Sequence, residues 1–459
     1  MKLIHSAKRF LHRIGLGPVL GLAPLTPTLP ELPLQPDAAD AERARITCEF
    51  LDGVQGGILS AKARGKHVAL WLFKFDDPAA HTRNAAAVNA AADRVTTAKV
   101  QCRDRVGGKF RSLALSGSGL LACGINDQVR DGSGFCPPDM MRWLLDGMGQ
   151  PTELAWNHDP IGPDGTTPST WEAQFQKRID GAWLLGAGSP DALNALELDT
   201  VKWGAARGLA EVAVERGKVR KEAGKVREAF GFVDGISTQR FFRTVPNALP
   251  TPLDKVVLTT ARHFGSSFLV LRKLEQNVKA FLTYRTAVGD AKAAEVIGRS
   301  RDDGVPLASR APGAALNDFD FTNDAGGARC PFTAHIRRAN PRAVHDDGAL
   351  APQHLVRRGV VYGPDELLDA PEGAEAGVGL MFMAYMSDLN TFRTIQGAWF
   401  ATPGFPVAPQ PPGAADALIF GPLPGMGAGL PPSWVTPRGG AYLFVPSRSW
   451  MRALSPEIP

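Results

Sequence analysis

Apolar residues gather in a few short runs, and the clearest is HVALWLFKF at His67–Phe75. There Val68, Leu70 and Leu72 alternate with Ala69, Trp71, Phe73 and Phe75, so both faces are apolar and a strand covered on both sides is predicted. An Ala-rich stretch from about Asn84 to Lys99 predicts a helix, and Leu113–Leu115 and Trp183–Leu185 predict further short strands. From Leu209 to Arg227 the pattern is read as a helix that turns strongly polar after Arg216, bridging two halves of the chain. The pattern then recurs, with SFLVL at Ser267–Leu271, a mixed helix from Leu274 onward, and VGLMFMAY at Val378–Tyr385. Strands and helices mix without regular alternation, which argues for an α+β fold rather than a doubly wound sheet. The Pro/Gly-rich tract Pro403–Pro437 is expected to be a surface loop, and residues 1–45 a poorly structured extension outside the core.

A length of 459 residues suits two or three domains of roughly 100–200 residues each. With 44% apolar and 21% charged residues, wholesale disorder is excluded, while 49 Gly and 37 Pro imply many turns and long connections. The net charge of +5 is mild for this length, and no dense Lys/Arg block is interleaved with aromatics, so nucleic acid is not an expected partner. Five scattered cysteines without a C-x-x-C pair suggest reduced thiols rather than a zinc site or a disulfide framework. The longest charge-free stretches, Ile14–Pro30, Thr394–Ala415 and Ala417–Pro437, are broken by Pro and Gly, so no membrane span is expected. The N-terminus only loosely imitates a signal peptide; a cytoplasmic location is expected, with export left open.

Three segments could carry chemistry. Gly231-Phe232-Val233-Asp234-Gly235 sets a carboxylate on backbone that turns tightly, although an Asp-Gly turn is the commoner meaning of such a segment. Cys330 to Arg342 holds one histidine, His335, followed by Arg337, Arg338 and Arg342; imidazole binds metals or shuttles protons, and a lone histidine is more often structural. Arg357-Arg358 runs into the Gly-bounded strand Val360–Tyr362, which reads equally as a solvated edge.

Taken together, the three segments resemble the dye-decolourising peroxidase family. Its G-x-x-D-G signature stands as Gly231 to Gly235, its H-I-R-x-x-N-P-R segment as His335 to Arg342, and its R-R-G-x-x-Y-G run as Arg357 to Gly363. The likeness extends through Val54–Phe73, Pro168–Ala187, Gly265–Phe281 and Gly379–Leu389, covering about Cys48 to Leu454. Ser237-Thr238 departs from the Ser-Gln-Pro of many members, and the first 45 residues have no counterpart.

The resemblance implies two ferredoxin-like halves with antiparallel sheets and peripheral helices, over residues 46–215 and 216–459, with haem b in the C-terminal half. By position, His335 is the expected iron ligand, and Asp388 the candidate acceptor for its other ring N–H. Asp234 is the expected acid–base group toward hydrogen peroxide, Arg357 the fixed positive charge beside it, and Gly231 and Gly235 the backbone facing the haem. Arg337 and Arg342 are candidates for the haem propionates. An aspartate base stays ionised in acid where a histidine does not, so an acidic optimum is expected. The expected partners are hydrogen peroxide and small aromatic, phenolic or dye-like electron donors. A haem-binding or iron-releasing protein without peroxidase turnover is the alternative. The oligomeric state is left open, a homo-oligomer included.

Overall fold

The computed structural model describes residues 27–32, 34, 41–60, 66–103, 108–125, 138–234, 241–242, 251–310, 321–339, 341, 354–364, 366–367, 373–403, 405–406, 415–420 and 433–454. After a first helix α1 (Ala41–Gly53) come β1 (His67–Phe75), α2 (His81–Ala91), β2 (Phe110–Leu115), β3 (Gly181–Ala187), α3 (Pro190–Ala205) and β4 (Leu209–Lys218). These strands form an antiparallel sheet in the order β2-β3-β1-β4, that of a ferredoxin-like unit. A second unit follows, with β5 (Ser267–Gln276), α4 (Val278–Val288), α5 (Asp290–Ile297), α6 (His335–Ala339), β6 (Val356–Arg357), β7 (Val360–Tyr362), β8 (Gly379–Met386), α7 (Ala417–Phe420) and β9 (Val435–Val445). Here β9-β5-β8 pair antiparallel, and the short β6 and β7 line the far side of β8, which repeats the strand order of the first unit. Single bridges, Lys218↔Val361 and Phe444↔Leu115, join the two sheets at both edges, so the strands close into one ring.

The doubly apolar run predicted at 67–75 is β1, and it lies in the middle of its sheet. Trp71 faces Trp183 across the β1–β3 ladder, and both are fully buried. Burying side chains of this size contributes about 1.5–3 kcal/mol each. Helix α3 begins where Ser189 accepts the Ala192 N–H and Pro190 occupies the first turn. It buries Leu193, Leu196, Thr200 and Gly204, a helical stripe. Gly204 is needed there, since a Cβ would stand 2.4 Å from the Trp71 ring.

Two expected elements differ. Residues 209–227, read as a polar helix, form β4 followed by a small hairpin, Lys221–Glu222 with Lys225–Val226. The Ala, Glu, Arg and Lys content favours helix locally, yet β4 pairs along its whole length with β1, and that partner decides the outcome. The Ala-rich helix spans His81–Ala91 and stops earlier than expected. Within the first 45 residues, Leu34 is buried and donates its N–H to the Phe241 carbonyl at 2.8 Å. Among the described residues, no helix is long and apolar enough to cross a membrane. The apolar N-terminal stretch Ile14–Leu25 lies outside the described residues.

Candidate active site

His335 opens α6, and its Nδ1 lies 3.0 Å from Asp416 Oδ2. Asp416 is fully buried and precedes α7; its Oδ1 accepts the N–H groups of Leu418 and Ile419, both at 3.0 Å, while its own N–H reaches the Phe400 carbonyl at 2.8 Å. The Ala417 N–H donates to the Thr333 carbonyl at 3.0 Å, tying α7 to the turn before α6. The carboxylate is thus fixed by the helix it caps and can hold the half-buried imidazole in one orientation. The imidazole lies against the Phe400 ring, with centroids 4.9 Å apart. With Nδ1 committed, Nε2 is the nitrogen left to bind a metal.

The expected partner of His335, Asp388, stands elsewhere. Its carboxylate is exposed and accepts the Asn390 N–H at 2.8 Å, just ahead of the Asn390–Arg393 turn. Arg337 likewise departs from its expected role at the propionates. It is fully buried, donating to Asp324 Oδ2 at 3.1 Å, to the Cys330 carbonyl at 2.6 Å and to the Asp324 carbonyl at 2.9 Å. Its guanidinium also lies between the Phe321 and Phe332 rings, 4.7 and 4.3 Å from their centroids. Its two terminal nitrogens are thereby committed to the protein interior. Arg342 and Gly235 lie outside the described residues.

The adjacent Arg338, unassigned from sequence, donates to three carbonyls: Trp399 at 2.9 Å, Phe405 at 2.8 Å and Thr402 at 2.6 Å. It fastens α6 to the end of a π-helical turn, Thr394–Trp399, that leads into Phe400. The residues flanking His335 therefore serve its placement.

Asp234 and Arg357 are both exposed. Asp234 follows a tight turn in which Gly231 has φ +90°, where a Cβ would meet the Arg301 guanidinium at 2.3 Å. The Asp234 N–H donates to the Val226 carbonyl at 2.9 Å. Arg357 lies on β6 opposite Ala384. The next residue, Arg358, points the other way and is buried, donating to the Gly57 carbonyl at 2.6 Å and the Ile58 carbonyl at 2.9 Å. Strand alternation thus divides the Arg pair into an inward anchor and an outward charge.

Arg299, also unforeseen, links these parts. Burial pushes its guanidinium down to about 10; neighbouring Arg357 adds to the fall and Asp234 opposes it, so both charges lie within its field. One residue earlier, Gly298 has φ +89°, and a Cβ there would meet Ile336 at 2.6 Å, Cys330 Sγ at 3.0 Å and Ala334 at 3.2 Å. The turn after α5 therefore touches the His335 segment and sits among the charges of the other two. Among the described residues, no group of three or more His, Cys, Asp or Glu side chains could cage a bare metal ion. One carboxylate-oriented imidazole would suit a haem iron, whose other ligands the porphyrin would supply.

The second ferredoxin-like unit so offers an oriented imidazole of the kind a haem iron takes. Residues 225–404 match the family model described as "Dyp-type peroxidase, C-terminal". The multifunctional dye peroxidase DyP2 of Amycolatopsis sp. is 34% identical over 347 residues, 62% of this chain and 73% of that protein. The crystal structure of the Anabaena sp. DyP-type peroxidase superposes with a TM-score of 0.74 at 25% identity, covering 94% of this chain and 99% of that one. A dye-decolorizing peroxidase in complex with 2,6-dimethoxyphenol has a TM-score of 0.71 at 26% identity, over 88% of this chain and 98% of its own. The chain belongs to the dye-decolourising peroxidase family: it is a haem b-dependent peroxidase built on two ferredoxin-like units.

Proposed function

We propose that this enzyme reduces hydrogen peroxide with Asp234 as the acid–base group, Arg357 as the adjacent fixed charge and His335 as the iron ligand, and oxidises phenolic or dye-like aromatic donors. The carrying observation is the His335 imidazole oriented by buried Asp416 at 3.0 Å, with the Gly298 turn packed on the His335 segment. Haem, held by His335, would supply the redox chemistry that couples two-electron reduction of peroxide to one-electron oxidation of donors.

The chain's own groups do the remainder. Asp416 accepts the Nδ1–H of His335, which fixes the tautomer and makes Nε2 a stronger donor. Asp234 takes the proton from the near oxygen of peroxide and delivers it to the far oxygen, which leaves as water; a positioned carboxylate contributes roughly 10²–10⁴-fold to such a transfer. Arg357 stabilises negative charge on the departing oxygen and, as a guanidinium, stays charged at any working pH. The phenol bound in the related structure supports aromatic donors as the substrate class.

Asp234→Asn tests the assignment. Peroxide-dependent oxidation of a phenol is expected to fall by about 10²–10⁴-fold while the Soret band is retained. Turnover unchanged in this variant would remove Asp234 from the mechanism.

A further inference from the structure

We propose that Glu228 is a positioning residue for Asp234, a role that rests on the acid–base reading of Asp234. The segment from Val226 to Asp234 closes on itself around one carboxylate. Glu228 Oε1 accepts the Phe232 N–H at 2.8 Å, and Oε2 accepts the Phe230 N–H at 2.9 Å and the Gln276 Nε2 at 2.7 Å. Main-chain bonds complete the ring: Glu228 N–H to the Phe232 carbonyl at 3.1 Å, Gly231 N–H to the Glu228 carbonyl at 3.0 Å, and Asp234 N–H to the Val226 carbonyl at 2.9 Å. The side chain thus does from inside the turn what a helix or sheet ladder does elsewhere.

Gln276 anchors this turn to the frame, because it ends β5, the strand shared by the second sheet. Phe230 and Phe232 flank the carboxylate and pack on Phe281 of α4, with centroids 4.6 and 5.9 Å apart. Two rings and one polar centre therefore fix the backbone two residues before Asp234. A catalytic carboxylate must lie within hydrogen-bond reach of peroxide, so small displacements of its backbone are costly to rate. Burial raises the Glu228 carboxyl above its ordinary range, the three hydrogen bonds oppose that rise, and the neighbouring Asp234 adds to it.

Glu228→Gln keeps the shape and removes the fit. Its single amide oxygen cannot accept from donors on both sides, and its NH₂ would face an N–H group. With haem-loaded enzyme, the second-order rate with hydrogen peroxide, measured per haem by stopped flow, is expected to fall at least tenfold, while the half-saturating phenol concentration and the Soret position stay as in the parent. A merely structural role predicts a lower melting temperature with an unchanged per-haem peroxide rate, and that result overturns the proposal. Asp234→Asn measured alongside separates the two claims. A slow D234N with a fast E228Q removes the positioning role alone, whereas a fast D234N removes the acid–base reading beneath it. Should E228Q not retain haem, Gln276→Leu decides: a several-fold loss of peroxide rate supports the role, and an unchanged rate overturns it.

Discussion

The two ferredoxin-like units share a strand order and differ in what crosses between the strands. In the first, the crossover helices only pack: α2 buries Ala85, Val88 and Ala91, and α3 buries Leu193, Leu196 and Gly204. In the second, the crossover after β5 carries His335, and the crossover after β8 carries the π-helical turn and Asp416. The imidazole and its carboxylate come from two separate crossovers and meet at 3.0 Å. Asp234 comes from the chain between the units, and Arg357 from the edge strand β6. On the proposed assignment, one architecture gives packing in one copy and chemistry in the other, because the connections change while the sheet does not.

The sharpest way to break this comparison is to exchange a crossover residue in each unit. His335→Ala removes the proposed iron ligand and should lower haem retention by orders of magnitude, read from the Soret absorbance after gel filtration. Leu196→Ala in α3 should lower unfolding free energy by about 2–5 kcal/mol in a urea titration and leave the haem spectrum unchanged. If the two variants shift the spectrum equally, the division between packing and chemistry is wrong.

Arg337 refines the comparison within the second unit. Arg337→Met strands buried Asp324 without its cation, at an expected cost of about 3–5 kcal/mol in stability. Haem-loaded protein should nevertheless keep the parent Soret position. A large loss of haem affinity with normal apoprotein stability would restore the propionate role.

A smaller effect sits where the two sheets join. His263 is buried near Phe444 and Trp450, and burial pushes its imidazole down to about 3, neighbouring Arg262 adding to the fall. The unfolded chain protonates this histidine below about pH 6.5, while the fold resists until near pH 3. The stability held above pH 6.5 is therefore lost progressively as pH falls toward 3, by about 2–3 kcal/mol at pH 4. His263→Leu should flatten that acid limb in urea titrations at pH 7 and pH 4; an unchanged slope would show that other groups set it.

Much of the sheet was legible because β1, β3, β5 and β8 are apolar on both faces, and that pattern survives any context. β4 was not, since LAEVAVERGK has helix-forming residues and its sheet partner lies far away in sequence. Of the residues proposed for the site, His335, Asp234 and Arg357 stand in recognisable motifs, whereas Asp416 sits in a Pro/Gly-rich tract read as a surface loop. Its one local signal was an aspartate ahead of the apolar Ala417–Phe420, the pattern of a helix cap. Arg337 shows a related limit: sequence displays its charge but not Asp324, which folding brings to it. Charge partners distant in sequence are set by tertiary contact, and local pattern does not encode them.

The most direct test is the iron–imidazole stretching frequency of the reduced, haem-loaded protein, measured by resonance Raman for the parent, Asp416→Asn and Asp388→Asn. A carboxylate on Nδ1 strengthens the imidazole donor, so D416N should lower the frequency and D388N should leave it at the parent value. A parent frequency unmoved in D416N, or moved only in D388N, would contradict the site assembled around His335.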